Sequence, residues 1–158
     1  MSFSTSEGEA LTEENHRPYG AEIVGVNMTN STEEFLSNYP ALFACSRSNP
    51  VGVPYWGIEC GPGWHPLLKC LCKKAQARVE ECGIEQVVFQ RVKEKFGALS
   101  ISFNGGDDYV RGLIDMAVTF SVMTCEACGS RGGLIKTAHG WVKCLCASCK
   151  DTLDHQID

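Results

Sequence analysis

The chain lacks any apolar run near the roughly 20 residues needed to span a bilayer, and residues 1–8 are polar and acidic where a secretory leader would be basic and then apolar. These two absences predict a soluble, cytoplasmic protein with no membrane contact. Positive charge is also short, with 14 Lys and Arg against 19 Asp and Glu, a net charge of −5. Duplex affinity comes largely from many cationic side chains neutralising phosphates, so this balance counts against a nucleic-acid partner. No nucleophile elbow, phosphate loop or open metal triad is present, and the reading leans away from an enzyme. Internal repeats are missing too.

What the chain does have is ten cysteines. Without an export signal these read as metal ligands and buried thiols rather than disulfides. "CEAC", with Cys125 and Cys128, is followed after seventeen residues by "CASC", with Cys146 and Cys149. Two such pairs can close four thiolates around one tetrahedral ion at about 2.3 Å, and Zn2+ is the usual occupant of a closed shell of this kind. Leu134, Ile135, Trp141 and Val142 between the pairs predict a short hairpin shielding the ion, a zinc ribbon. Cys144 and His139 are rival ligands by proximity, but Cys144 breaks the two-residue gap and its alternation with Val142 suits a strand. Cys60, Cys70, Cys72 and Cys82 read as core thiols; Cys70 and Cys72 point about 200° apart on a helix. Four thiolates and one divalent cation carry about −2, which Arg131, Lys136, Lys143 and Lys150 partly offset.

The rest of the chain divides by composition. Residues 1–30, rich in Ser, Thr, Glu and Asn, are expected to form a mobile arm. Residues 31–123 are expected to be an α+β core, residues 124–150 the ribbon and residues 151–158 an acidic tail. Ser31 and Glu34 make a capping-box pattern opening a short helix through Phe35 and Leu36. "NPVGVPYWGIECGPGWHP", residues 49–66, carries four prolines and four glycines and is either an irregular cover or a binding loop. Pro66 suits the first turn of a helix, and Leu68, Leu71, Cys72, Ala75, Val79 and Cys82 recur at helical spacing until Gly83 stops it. "IEQVVFQRV" (84–92) and "ALSISF" (98–103) read as two strands joined through a charged tip, residues 93–97. Asp107 or Asp108 can cap the following helix, whose Val110, Leu113, Ile114, Ala117 and Phe120 keep one apolar face. The expected architecture is thus a helix, β-hairpin and helix layer followed by a C-terminal zinc ribbon.

The order "PALF", "GPGWHPLL", "VKEKFGAL", a Gly-Gly-Asp segment before a helix, "CEACG", "GW" and a final cysteine pair resembles a family of small, uncharacterised bacterial and phage proteins. The resemblance covers about 110 residues, 40–151. It implies a compact cytosolic zinc protein common in prophages and names no activity. Ala98 and Ser100 depart from the glycine and arginine that usually follow Lys-Glu-Lys-Phe-Gly in those relatives.

Trp64, Arg91, Lys93, Lys95 and Phe96 are the candidate ligand-binding residues. An aromatic face beside ammonium or guanidinium donors suits a small anionic, nucleotide-like ligand, which stacks its base and places its phosphates on charge. Sequestration of a nucleotide-like host defence signal by a phage protein fits that chemistry. The alternatives are a host-protein interface built from the same tip with Tyr55 and Trp56, and a ribbon that binds nucleic acid through Arg131, Lys136 and Lys143. His65, Asp107 and Asp108 could supply an acid and base, but such residues are more often helix caps.

Overall fold

A computed structural model describes residues 28–44, 57–137 and 139–155, with only the backbone for residues 28–31. The protein is α+β. Helix α1 spans Met28–Asn38, opening before the expected Ser31, and is followed by strand β1 at Ile58–Glu59 and helix α2 at His65–Cys82. Strands β2 (Val88–Lys95) and β3 (Ala98–Asn104) form the hairpin, and helix α3 covers Asp108–Ser121. The ribbon hairpin is β4 (Gly133–Lys136) with β5 (Val142–Leu145), and helix α4 runs over Ala147–His155. The residues expected to form the mobile arm lie mostly outside the described residues, as do Tyr55 and Trp56. Helix α4 continues through residues 151–155, the start of the stretch expected to be an acidic tail.

Local chemistry explains these boundaries. Pro66 in the first turn of α2 has no amide to satisfy, and Gly83 ends that helix at φ 61°, its amide bonded to the Val79 carbonyl at 2.9 Å. Asp107 caps α3 by accepting from the Val110 amide at 3.1 Å. Its second oxygen takes Arg78 at 2.8 Å. The Val110 amide and then Arg78 hold the Asp107 carboxyl below its usual range. Asp107 is therefore a cap and an ion-pair partner.

The sheet order is β1-β2-β3, with β1 parallel and β3 antiparallel to β2. A register shift between Phe89 and Arg91 puts Val92 opposite Ile101, and Glu94 opposite Leu99, on the side that meets the core. Arg91, Lys93 and Lys95, opposite Ser102, Ser100 and Ala98, then fall on the other side. Under the first face, Trp64, Leu68, Leu71, Phe89, Leu99 and Ile114 pack into one core with α2 and α3. Cys144 of β5 belongs to the same core, so the ribbon is docked against the layer.

Candidate metal centre and the clamp around it

The Sγ atoms of Cys125, Cys128, Cys146 and Cys149 all lie within 4.8 Å of one another. Cys128 Sγ and Cys146 Sγ are 3.7 Å apart. A tetrahedral ion with sulfur ligands at about 2.3 Å separates those sulfurs by about 3.8 Å, so the residues fit a closed S4 site. Two local structures deliver the ligands. A turn places Cys125 and Cys128, with the Gly129 amide donating to the Cys125 carbonyl at 2.9 Å. The start of α4 places Cys146 and Cys149, with Ser148 Oγ 3.3 Å from Cys146 Sγ. The Ser148 hydroxyl and then the Cys149 amide bring the Cys146 thiol down to about 6, and hydrogen bonds from Ser130 lower Cys128. Burial pushes Cys149 up; a divalent ion supplies the charge that deprotonates such a thiol.

The rival ligands are elsewhere. Cys144 is fully buried and donates to the Thr124 carbonyl at 3.2 Å. His139, Cys60, Cys70, Cys72 and Cys82 are not among the described residues that converge on a site, and Cys70 and Cys82 are exposed, which corrects their reading as core thiols. Burial pushes Cys60 and Cys72 each up to about 12, which makes them inert thiols. The expected shielding by the ribbon hairpin is only partly realised. Leu134 is 56% and Trp141 72% exposed.

The layer instead covers the knuckle that carries Cys125, through two stretches expected to be a loop and a hairpin tip. In "GPGW", the Gly61 amide donates to Glu126 Oε1 at 3.0 Å, the Gly63 amide to the Glu126 carbonyl at 2.7 Å, and Trp64 Nε1 to the Thr124 carbonyl at 2.7 Å. A side chain on Gly63 would collide with the Cys125 carbonyl and the Gly129 amide. Trp64 is 0% exposed, which corrects its place among the ligand-binding candidates: a ring enclosed on all sides cannot stack on a ligand.

"KEKFG" is the second clamp. Lys93 and Lys95 continue β2, leaving Phe96 and Gly97 as a two-residue turn with φ 52° and 78°. Glu94 points back from that turn. It accepts from the Gly97 amide at 2.7 Å and from Lys143 Nζ at 3.0 Å, and Lys143 also reaches Glu126 at 3.3 Å. Burial opposes the Lys143 charge, but Glu94 and Glu126 outweigh it and raise its pKa. A Cβ on Gly97 would lie 2.5 Å from Leu134 Cδ2. Glu94 is therefore structural, tying the tip to the knuckle that carries Cys125.

The remaining candidates stay outside this network. Arg91 pairs with Glu59 at 3.1 Å. Lys93 is half-buried on the same open face, Lys95 is exposed, and Phe96 is 74% exposed with Lys95 Nζ 5.7 Å from its ring centroid. The structure thus groups Arg91, Lys93 and Lys95 on one face of β2, beside Phe96, and leaves Trp64 on the other. A cavity of about 340 Å³ lies apart from them, between Pro62, Glu126, Lys143 and Leu153. No helix among the described residues is long and apolar enough to cross a membrane. Comparison with protein-family models, curated proteins and solved structures found no match.

Proposed function

We propose that this chain is a non-enzymatic zinc protein whose ribbon braces a basic, aromatic-tipped hairpin, and that the hairpin captures a small anionic, nucleotide-like ligand. Zinc is the occupant we assign, because four thiolates close its shell and leave no position for a substrate. The observation that carries the binding reading is Phe96. A turn with both central residues at positive φ favours Asn, Asp or Gly, and a bulky residue there costs about 1 kcal/mol or more. This chain accepts that cost at φ 52° and leaves the ring 74% exposed, beside Lys95 and on the same strand as Lys93. Such a ring can stack on a base while the ammonium groups take phosphate oxygens.

The resemblance to phage proteins guides the choice of ligand. We read the protein as a phage or prophage product acting in the host cytoplasm on a nucleotide-like defence signal. Titration with a mononucleotide and a cyclic dinucleotide tests this by calorimetry. Lys93→Ala/Lys95→Ala is expected to lower affinity roughly ten- to hundredfold. Phe96→Asn is expected to weaken binding while raising stability by a few tenths of a kcal/mol to about 1 kcal/mol. Unchanged binding in both variants, or no nucleotide binding by the parent protein, would sink the reading. The second reading is a host-protein interface at the same tip, favoured by its shape: a two-residue turn is convex, as interface anchors often are.

A further inference from the structure

The cavity of about 340 Å³ lies where the layer, the ribbon and α4 meet, with an apolar body made by Pro62, Ala127, Leu145 and Leu153. Its volume falls at the low end of the roughly 300–1,000 Å³ typical of small-molecule sites. Glu126, Lys143, Cys149 and Thr152 supply its polar groups.

The hydrogen bonds use those groups unevenly. Donors around the cavity are committed within the protein: the Gly61 amide to Glu126 Oε1 at 3.0 Å, the Glu126 amide to the Cys144 carbonyl at 2.8 Å, and the Thr152 hydroxyl to the Ser148 carbonyl at 3.0 Å. Pro62 has no N–H to offer. Lys143 directs two of its three N–H groups to Glu94 and Glu126. The acceptors keep capacity. Glu126, with its side chain only 10% exposed, takes the Gly61 amide on one oxygen and Lys143 on the other, and a carboxylate has about four acceptor sites. Thr152 Oγ1 retains its lone pairs, and the Cys149 sulfur lines the same space. Charge runs the same way: two carboxylates flank the one ammonium, and four thiolates around a divalent ion add about −2.

We infer that this cavity binds an alkylammonium group, its stem against Pro62, Ala127, Leu145 and Leu153 and its head donating to Glu126, Thr152 and Cys149. An ammonium donates and does not accept, which matches a lining with acceptors to spare. A carboxylate or phosphate head would meet those acceptors and the negative field together. The site lies apart from the hairpin tip, and only the charge of the sulfur cluster rests on the ion assigned to it.

Methyl chemical shifts of the metal-loaded full chain, titrated with n-pentylamine, 1-pentanol and pentanoate at matched ionic strength, test the inference. Metal stoichiometry, measured separately by native mass spectrometry, tests the S4 assignment and not the cavity. Pentylamine is expected to move the Ala127, Leu145 and Leu153 methyls saturably, with a dissociation constant of about 1 mM for so small a probe. Pentanol should bind roughly tenfold or more weakly, since it lacks the charge-assisted bond to Glu126, and pentanoate should leave these methyls unmoved. Leu153→Trp, on a helix with no buried residue, should fill the cavity and abolish the shifts with circular dichroism and bound metal unchanged. Glu126→Gln should weaken pentylamine roughly ten- to hundredfold and pentanol little. Acetyl-lysine methylamide, which carries the same head on a peptide unit, separates the sources: tighter binding than pentylamine assigns a lysine side chain of a partner, and weaker binding a free amine. Pentanol as tight as pentylamine, or a response to pentanoate, overturns the cation site. Shifts that survive Leu153→Trp, or that fall instead on Leu113 and Met116 in the apolar groove between α2 and α3, overturn the cavity.

Discussion

Between α2, α3 and the three-stranded sheet, the layer buries Trp64, Leu68, Leu71, Phe89, Leu99 and Ile114, whereas residues 124–155 bury only Cys125, Cys144 and Leu145 among their described apolar side chains, and α4 buries none. By area alone the layer has a core and the ribbon does not. The ribbon's order must come from elsewhere, from its four convergent sulfurs and from bonds to the layer. Those bonds fall on "GPGW" and "KEKFG", two stretches whose glycines approach the ribbon closely. One region is held by burial, and the other by a clamp and by four sulfurs placed to ligate an ion; this difference ranks the ways of breaking them.

The largest effect is expected from removing a sulfur. Cys125→Ser or Cys146→Ser, or a strong chelator, should abolish metal binding and unfold or loosen residues 124–155, because ligation supplies folding free energy in so small a unit. The layer should keep its helices. Metal stoichiometry by native mass spectrometry and amide exchange resolved by segment check both statements, and one retained ion per chain in both variants would discard the S4 assignment. A reductant without a chelator should leave the thermal transition unchanged, since the described cysteines are thiols or ligands.

Gly63→Ala should come next, at about 3 kcal/mol. The added methyl would meet the Cys125 carbonyl and the Gly129 amide, backbone atoms that cannot swing aside as a side chain can. The layer and the knuckle must part locally, so a weaker metal affinity should accompany the lower melting temperature. A stability loss with unchanged affinity would mean that the loop supports the layer alone.

Lys143→Ala tests the second clamp. Lys143 lies between Glu94 and Glu126, whose side chains are 18% and 10% exposed, and its loss leaves two poorly solvated carboxylates facing each other. The cost should be about 1–2 kcal/mol, moderated because the ammonium itself is one third exposed. In a double-mutant cycle Glu94→Gln should recover part of it. Strict additivity of the two changes would show that the tip and the ribbon are not coupled through this ion pair.

The contrast also explains which parts could be read from the chain. Helix α2 is punctuated by Pro66 and Gly83, α3 by Asp107, and the sulfur ligands by two tight pairs, so each signal is local. Trp64 misled because an aromatic between glycines in a loop looks the same whether it faces solvent or a partner 60 residues away, the Thr124 carbonyl. Glu94 finds Lys143 49 residues on, and no local pattern announces that pairing. Strand β1 is two residues long and exists only through its parallel register with Val92 and Lys93. Helix α4 gives no helical signal in the sequence because it has no buried face to impose a period on it.

The smallest effect separates the two regions by acid. His65 opens α2, half-buried, with its ring 5.8 Å from that of Phe35 in an edge contact. Burial and then Lys69 lower its pKa, against the opposing pull of Glu34. A folded-state pKa below the ordinary value of about 6.5 means that the unfolded chain takes up the proton first. The stability tied to the neutral ring is therefore complete above about 6.5 and declines as pH falls from there through the depressed folded value. One group cannot exceed about 1.4 kcal/mol per pH unit, and partial solvation keeps His65 well under that ceiling. Acid also releases metal from thiolates, so the two regions would fail together in a simple titration. Comparing the parent with His65→Gln cancels the metal contribution, because neither protein changes a ligand. The parent should lose more thermal stability than His65→Gln between pH 7.5 and 5.5, with the difference vanishing above neutrality. Parallel curves would show that the imidazole takes up its proton as freely in the layer as in the unfolded chain.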